Sequence, residues 1–145
     1  MSIKTTWFIW LIIALALAAC SPEGGQSPQG GSGPVEVKIS MTEFAFESPI
    51  TEFQTGVTYR FVVTNNGAIP HEFMILPPME NASNMTMEEL DEMSLVVIEE
   101  DDLPPGATQT VEFMFTEPAS TGSLEFACHT PGHYDAGMKL PITVK

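Results

Sequence analysis

The chain has 145 residues, a length that suits one domain with a single hydrophobic core. Nineteen acidic residues outnumber five lysines and arginines, which gives a formal net charge of −14 at pH 7. A surface of this charge repels nucleic acid and anionic lipid headgroups and favours a partner with a basic docking surface. The alternative is that the charge only keeps the protein soluble.

Residues 1–19 predict a secretory signal peptide of the lipoprotein type. An apolar run from Trp7 to Ala19 follows Lys4 and is short for a transmembrane helix. The residues directly before Cys20 resemble the lipobox of bacterial lipoproteins, in which the signal is cut before a cysteine that is then lipidated. The alternatives are an ordinary signal peptide cut nearby and an uncleaved anchor, and every one of these interpretations exports the domain.

Residues 20–34 are predicted to be a lipidated Cys20 followed by a flexible linker rich in Gly, Ser and Pro. Cys20 would anchor the protein to the bacterial cell membrane or outer membrane. The domain would then face the periplasm or the cell exterior. Because Cys20 lies at the processing site, Cys128 is expected to be a lone thiol in an oxidising compartment, where it must be buried or bound to something.

Residues 35–145 predict an all-β domain, a Greek-key antiparallel β-sandwich of about seven or eight strands. Apolar and polar residues alternate with period two, which is typical of half-buried strands. The alternating segments start at Val35, Tyr59, Val111, Leu124 and Leu140, and a further strand is expected over Ser94 to Ile98. A shift of the alternation near Phe44 indicates a bulge or a bend.

A methionine-rich insert over residues 77–93 interrupts the strand pattern. Thr86 and Glu89 have the spacing of a capping box, so a short helix is predicted to begin there, with Met87, Leu90 and Met93 on its inner face. Methionines at helical spacing more often pack than bind metal, and packing is the favoured interpretation. Capture of copper by Met79, Met85, Met87 and Met93 is the alternative.

Strand parity predicts which side chains share the interior of the sandwich. Cys128 is in step with Phe126, and His71 is in step with Phe73, so both should point inward near strand ends. By the same rule Glu72 and His129 should point outward, and His129 is not expected to be a ligand. Turns after Cys128 can then return His133 and Met138 to the same point.

One thiol, two imidazoles and one thioether form a selective ligand set. Zinc in structural sites prefers Cys and His without a thioether, and calcium and magnesium prefer oxygen. Two His and one Cys in a trigonal arrangement with a weak axial Met suit copper in both oxidation states. Each residue alone could be a buried thiol, a core histidine or a packing methionine, but their joint occurrence favours a copper site over a metal-free sandwich.

The constellation resembles the cupredoxins, the blue copper proteins of the plastocyanin/azurin family. The spacing from Cys128 to His133 and on to Met138 is similar to that of rusticyanin or auracyanin. The resemblance implies one type 1 copper, with His71, Cys128 and His133 as equatorial ligands and Met138 as the axial ligand. It also implies that His133 is the electron port. Many family members have Asn after the first His, where this chain has Glu72.

The leading hypothesis is therefore an electron-transfer protein, a monomer that exchanges one electron with a cytochrome-like or oxidase-like partner. The alternative is a copper carrier or resistance protein that delivers or sequesters copper without a redox role. A multicopper oxidase acting alone is excluded because the chain has only three histidines, too few for a trinuclear copper centre. No arrangement typical of a hydrolase is present either, so we expect no catalytic residues and no enzyme activity.

Overall fold

Two β-sheets pack face to face in the computed structural model, which describes residues 33–79 and 84–145. The first sheet has the strand order β2-β1-β4-β7, and the second has the order β3-β9-β8-β5-β6. The strands are β1 (Val35–Thr42), β2 (Ala45–Glu47), β3 (Glu52–Phe53), β4 (Thr58–Asn65), β5 (Phe73–Leu76), β6 (Val96–Ile98), β7 (Thr108–Met114), β8 (Ala119–Ala127) and β9 (Lys139–Val144). A helix α1 (Met87–Met93) and a 3₁₀ turn (Glu100–Asp102) lie on either side of β6.

The predicted β-sandwich with one short helix is confirmed, and its strands differ from the prediction in number and direction. The described residues form nine strands, against the seven or eight predicted. The prediction gave fewer because β2 and β3 are too short to leave a clear alternation in the sequence. Both sheets are mixed, since β1 runs parallel to β4 and β3 runs parallel to β9. Alternation predicts which side of a strand is apolar, but it carries no information on the direction of the neighbouring strand.

Aromatic rings fill the space between the two sheets. Phe53 lies at the centre of this core, with its ring centroid 4.9 to 6.0 Å from the centroids of Tyr59, Phe61, Phe115 and Phe126. Such offset and edge-to-face contacts are favourable for aromatic pairs. The same core extends to Cys128 and Met138, both fully buried, so the predicted inward direction of these two residues is confirmed.

Helix α1 covers the outer face of the second sheet. Its capping box is present as predicted, with Thr86 Oγ1 accepting from Glu89 N and the Glu89 carboxylate accepting from Thr86 N. The predicted inner face is wrong in part, because only Leu90 is buried, while Met87 and Met93 are 39% and 44% exposed. A helix of seven residues has only about two turns, so a single side chain, Leu90, makes its buried contact with the sheet.

Leu90 packs with Met74, Leu76 and Ala127 in a second apolar cluster outside the main core. Met79 and Met85 pack against this cluster, as the packing interpretation of the insert expects. As a result β5 is buried on both faces. No helix among residues 33–79 and 84–145 is long and apolar enough to cross a membrane. The predicted signal peptide, Cys20 and most of the linker lie outside the described residues.

Candidate metal centre

The four predicted ligands lie at one end of the sandwich, on two segments of the chain. His71 stands two residues before β5, and its backbone N–H donates to Leu103 O at 3.2 Å. The other three residues belong to the loop that joins β8 to β9. Both segments leave the second sheet at neighbouring positions, because β5 pairs with β8 in antiparallel register.

Backbone hydrogen bonds fold the β8–β9 loop back on itself. His133 N donates to Thr130 O at 2.9 Å, and Met138 N donates to His133 O at 3.0 Å. Cys128 N then donates to Met138 O at 3.2 Å, which closes the loop. Gly137 permits the last turn, since its φ of 101° is one that residues with a Cβ rarely adopt. The loop thereby brings His133 and Met138 back beside Cys128, as the spacing predicts.

Three donor atoms converge at the base of this loop. His71 Nδ1 and His133 Nδ1 are 3.3 Å apart, and His133 Nδ1 is 3.4 Å from Cys128 Sγ. The ligand atoms of all three residues lie within 4.8 Å of one another. Two nitrogens bound to one metal at about 2.0–2.1 Å in a trigonal or tetrahedral arrangement are roughly 3.3–3.6 Å apart, so the observed spacing fits a shared ion.

Burial shifts the pKa values of His71 and Cys128. His71, Cys128 and Met138 are fully buried, and His133 is 7% exposed. Burial raises the pKa of the Cys128 thiol, and hydrogen bonds from Thr130 and from the backbone of Glu72 oppose that rise only in part. Burial also lowers the pKa of His71, with a further contribution from His133. The raised pKa keeps the Cys128 thiol protonated at neutral pH when no metal is bound, so a metal that binds the thiolate must release that proton.

Glu72 joins the two segments that carry the site. Its backbone N–H donates to Cys128 Sγ at 3.4 Å, and its carboxylate accepts from His129 N at 3.2 Å. The Glu72 side chain points away from the main core, as predicted. It does not reach solvent, however, since Glu72 is only 1% exposed. Its carboxylate lies in a cluster with Asp91 of α1 and Glu99, which cover this face of the sheet. Glu72 therefore braces the cysteine loop at the position where the resemblance predicts Asn.

His129 is also buried on this covered face, at 8% exposure, whereas strand parity predicted a solvent-facing side chain. Its ring stacks on Tyr134, with the centroids 4.4 Å apart and the planes 16° from parallel. Tyr134 Oη in turn donates to the carboxylate of Glu125, which is 3% exposed. The loop and α1 thus bury a row of side chains that would face water in an isolated sheet, and His129 stays outside the His71–Cys128–His133 cluster.

Two residues that shape the surroundings of His71 were not predicted from the sequence. The side chain of Asn65 is fully buried, and its Nδ2 donates to Ile69 O and Leu103 O, both at 2.8 Å. Gly67 lies so close to the site that an added Cβ would be 3.0 Å from His71 Nε2 and 2.7 Å from Glu43 Oε1. The Asn65-Asn66-Gly67 sequence indicated a turn, but nothing in it showed that the turn packs on a ligand.

Phe44 covers His133 at the surface. The two rings meet edge to face with centroids 5.4 Å apart, and Phe44 is 44% exposed. The predicted bend near Phe44 is a tight turn between β1 and β2, in which Phe44 has a φ of 63°. A positive φ is uncommon for a residue with a bulky side chain. His133 is accordingly close to the surface but lies beneath an aromatic ring.

Comparison with known proteins agrees with this geometry. Residues 34–145 match the copper binding proteins of the plastocyanin/azurin family, and the chain belongs to that family. The copper-resistant cuproprotein CopI of Rubrivivax gelatinosus is 31% identical over 111 residues, which cover 75% of this chain and 66% of that protein. The chain therefore spans just under two thirds of the length of this relative.

Two further proteins support the family and the fold. The copper-resistant cuproprotein CopI of Pseudomonas aeruginosa is 26% identical across 90% of this chain and 89% of the relative. The crystal structure of reduced auracyanin from Roseiflexus castenholzii superposes with a TM-score of 0.58, at 25% identity, over 79% of this chain and 99% of that one. The predicted resemblance to cupredoxins, including auracyanin, is confirmed.

The buried Glu72 carboxylate makes the stability of the metal-free protein depend on pH. Burial raises the pKa of Glu72 to about 7, against 4.5 for an exposed Glu. An acid whose pKa is higher in the folded state stabilises the fold below its unfolded pKa and loses that contribution as the pH rises through the folded pKa. The free energy of unfolding should therefore fall between about pH 4.5 and 7, by on the order of 2–3 kcal/mol from this group.

Glu72→Gln should remove this fall, because Gln stays neutral and can still accept from His129 N. Urea unfolding of the metal-free protein at pH 4.5 and pH 8 measures the effect. The free energy of unfolding of the variant minus that of the parent should be larger at pH 8 than at pH 4.5. Glu92→Gln, at an exposed position of α1, is the matched control and should show no such gain. Equal pH dependence in the Glu72→Gln variant and the parent would contradict the assignment.

Proposed function

We propose that the protein is an electron carrier with one type 1 copper, bound closely by His71, Cys128 and His133 and weakly by Met138. The observation that carries the proposal is the convergence of two imidazole nitrogens and one thiol sulfur within 4.8 Å inside an apolar core. Bound copper would supply one-electron exchange between Cu(II) and Cu(I). Two His and one Cys with a weak axial Met is the ligand set that suits this exchange.

The surroundings of the site favour electron transfer over substrate turnover. His71 and Cys128 have no exposed surface, so water and substrates are kept away from the donor atoms. The loop hydrogen bonds, the Glu72 brace and the Asn65 side chain fix the ligands before a metal arrives. A fixed site changes little when its metal gains or loses an electron. This supports the expectation that the protein is not an enzyme.

His133 is the proposed electron port. Of the two imidazoles it alone has exposed surface, and the exposed ring of Phe44 lies against it. Phe44 would form the apolar contact on which a redox partner docks, and the net negative charge of the chain would attract that partner. We further propose a partner with a basic docking surface, such as a cytochrome or an oxidase-like protein. The chain would act as a monomer outside the cytoplasm, held to a membrane through lipidated Cys20.

Copper resistance by sequestration or delivery is the second candidate function. The specific observation in its favour is that the two similar proteins from Rubrivivax gelatinosus and Pseudomonas aeruginosa are copper-resistant cuproproteins. The same ligands would serve in this case, because resistance requires only that copper is held or passed on.

Titration with Cu(II) tests the site itself. The protein should develop an intense thiolate-to-copper charge-transfer band that saturates at about one copper per chain, as a His₂Cys site with a thiolate ligand predicts. Cys128→Ser should abolish the band. Met138→Leu should keep the band and raise the reduction potential, because Cu(II) loses a donor that leucine cannot replace. Met41→Leu, at a fully buried core position, is the control and should change neither property. A colourless Cu(II) complex would contradict the proposal.

Ionic strength tests the proposed partner chemistry. Electron exchange with a basic cytochrome c should slow steeply as salt is raised from low to physiological ionic strength, because screening weakens the attraction of an acidic surface. Stopped-flow absorbance measures the rate at each salt concentration, and an acidic cytochrome is the matched control. A rate with the basic cytochrome that is independent of salt would remove the docking part of the proposal and leave the copper site untouched.

Growth at elevated copper distinguishes the two candidate functions. A copper-sensitive bacterium should grow no better with this chain than with its Cys128→Ser variant if the protein serves only electron transfer. Protection by the parent that Cys128→Ser abolishes would favour copper resistance. Immunoblots of the two strains control for equal protein amounts.

A further inference from the structure

A cavity lies on the outer face of the second sheet, on the side opposite to the donor cluster. It has a volume of about 290 Å³ and is bounded by the start of α1 and by the β8–β9 loop. Its lining includes Met85, Met87, Leu90, His129, Tyr134 and Asp135. Cys128 and His129 directly follow β8 and continue its alternation, so the Cys128 side chain faces the inner site and the His129 side chain lines this outer cavity. The electron-carrier proposal uses none of these side chains.

The imidazole of His129 has a ring nitrogen without a partner. His129 is 8% exposed, and its buried Nε2 makes no hydrogen bond among the described residues. The ring is held in place by its stack on Tyr134. Because buried polar atoms are nearly always paired, an unpaired ring nitrogen beside a cavity points to a bound group in that cavity.

Two thioethers line the same cavity. Met85 and Met87 flank Thr86, whose capping box fixes the backbone at the start of α1. Met85 is partly buried against the outer apolar cluster, whereas Met87 is 39% exposed and contributes little packing. The sulfur of Met87 is therefore not needed for packing and is free to serve as a ligand at the mouth of the cavity.

We propose that this cavity is a second metal site, which binds Cu(I) through His129 and the thioethers of Met85 and Met87. Thioethers and imidazole are soft or intermediate ligands that select Cu(I), while calcium and magnesium require oxygen ligands and zinc binds thioethers poorly. Glu88 and Glu89 in the first turn of α1 and Asp135 in the cavity lining add negative charge that attracts a cation. The protein would then hold one copper on each face of the second sheet.

Counting Cu(I) ions tests this site directly. The full chain with Cys20→Ser, which leaves Cys128 as the one thiol, is titrated without oxygen against a chromogenic Cu(I) chelator. This parent should bind about two Cu(I) per chain, one in each ligand set. The double variant Met85→Leu/Met87→Leu should bind about one, because leucine keeps the volume of the side chain and removes the sulfur. His129→Phe, which retains an aromatic ring to stack on Tyr134, should also bind about one.

Matched variants separate this site from the inner one. Met93→Leu removes a methionine that is exposed on the same helix but does not line the cavity, and it should still bind about two Cu(I). The Met85→Leu/Met87→Leu variant should keep the charge-transfer band of the inner site after loading with Cu(II). A parent that binds one Cu(I), or a second Cu(I) that survives the loss of both methionines, would overturn the proposal. If the parent lacks the Cu(II) charge-transfer band but binds a Cu(I) that is lost in the Met85→Leu/Met87→Leu variant, only the electron-carrier proposal is overturned.

Discussion

Two hydrogen bonds of one residue hold the functional end of this protein together. Glu72 donates its backbone N–H to Cys128 Sγ and accepts at its carboxylate from the backbone of His129. These bonds join the segment before β5 to the end of β8, and those two segments carry His71 and Cys128. If they separated, the donor atoms of the inner site would no longer lie within reach of a single ion. The burial of a carboxylate at this point raises its pKa and therefore costs stability at neutral pH.

The same two segments also divide the molecule into two chemical environments. The inner side chains, His71 and Cys128, face an aromatic core that excludes water and holds its ligands still. The outer side chain of His129 faces a cavity beneath the methionine-rich start of α1. The alternation of β8 continues into the two residues that follow it and thus places a thiol and an imidazole on opposite faces of one sheet. A redox site benefits from the rigid inner face, and a site that exchanges Cu(I) benefits from the more open outer one.

The sequence predicted the sandwich and the convergence of His71, Cys128 and His133, because strand parity and loop length determine which side chains can meet. It could not predict that Glu72 and His129 are buried, since parity assigns a face and does not say whether another element covers that face. Here Leu90 and Tyr134, from α1 and the β8–β9 loop, provide the cover. The supporting role of Asn65 could not be predicted from the sequence either. Its hydrogen-bond partner Leu103 lies 38 residues away along the chain and is brought near only by the fold. The parallel pairing of β1 with β4 was missed for a related reason, as side-chain alternation is the same in parallel and antiparallel strands.

We propose that His71, Cys128 and His133 hold one copper in a geometry that serves both oxidation states. X-ray absorption at the copper edge tests it most directly, on protein loaded with one equivalent of copper and measured first as Cu(II) and then after reduction. We expect one short sulfur and two nitrogen scatterers in both states, with nearly unchanged distances. Loss of the sulfur scatterer, or a change in the number of ligands on reduction, would contradict it.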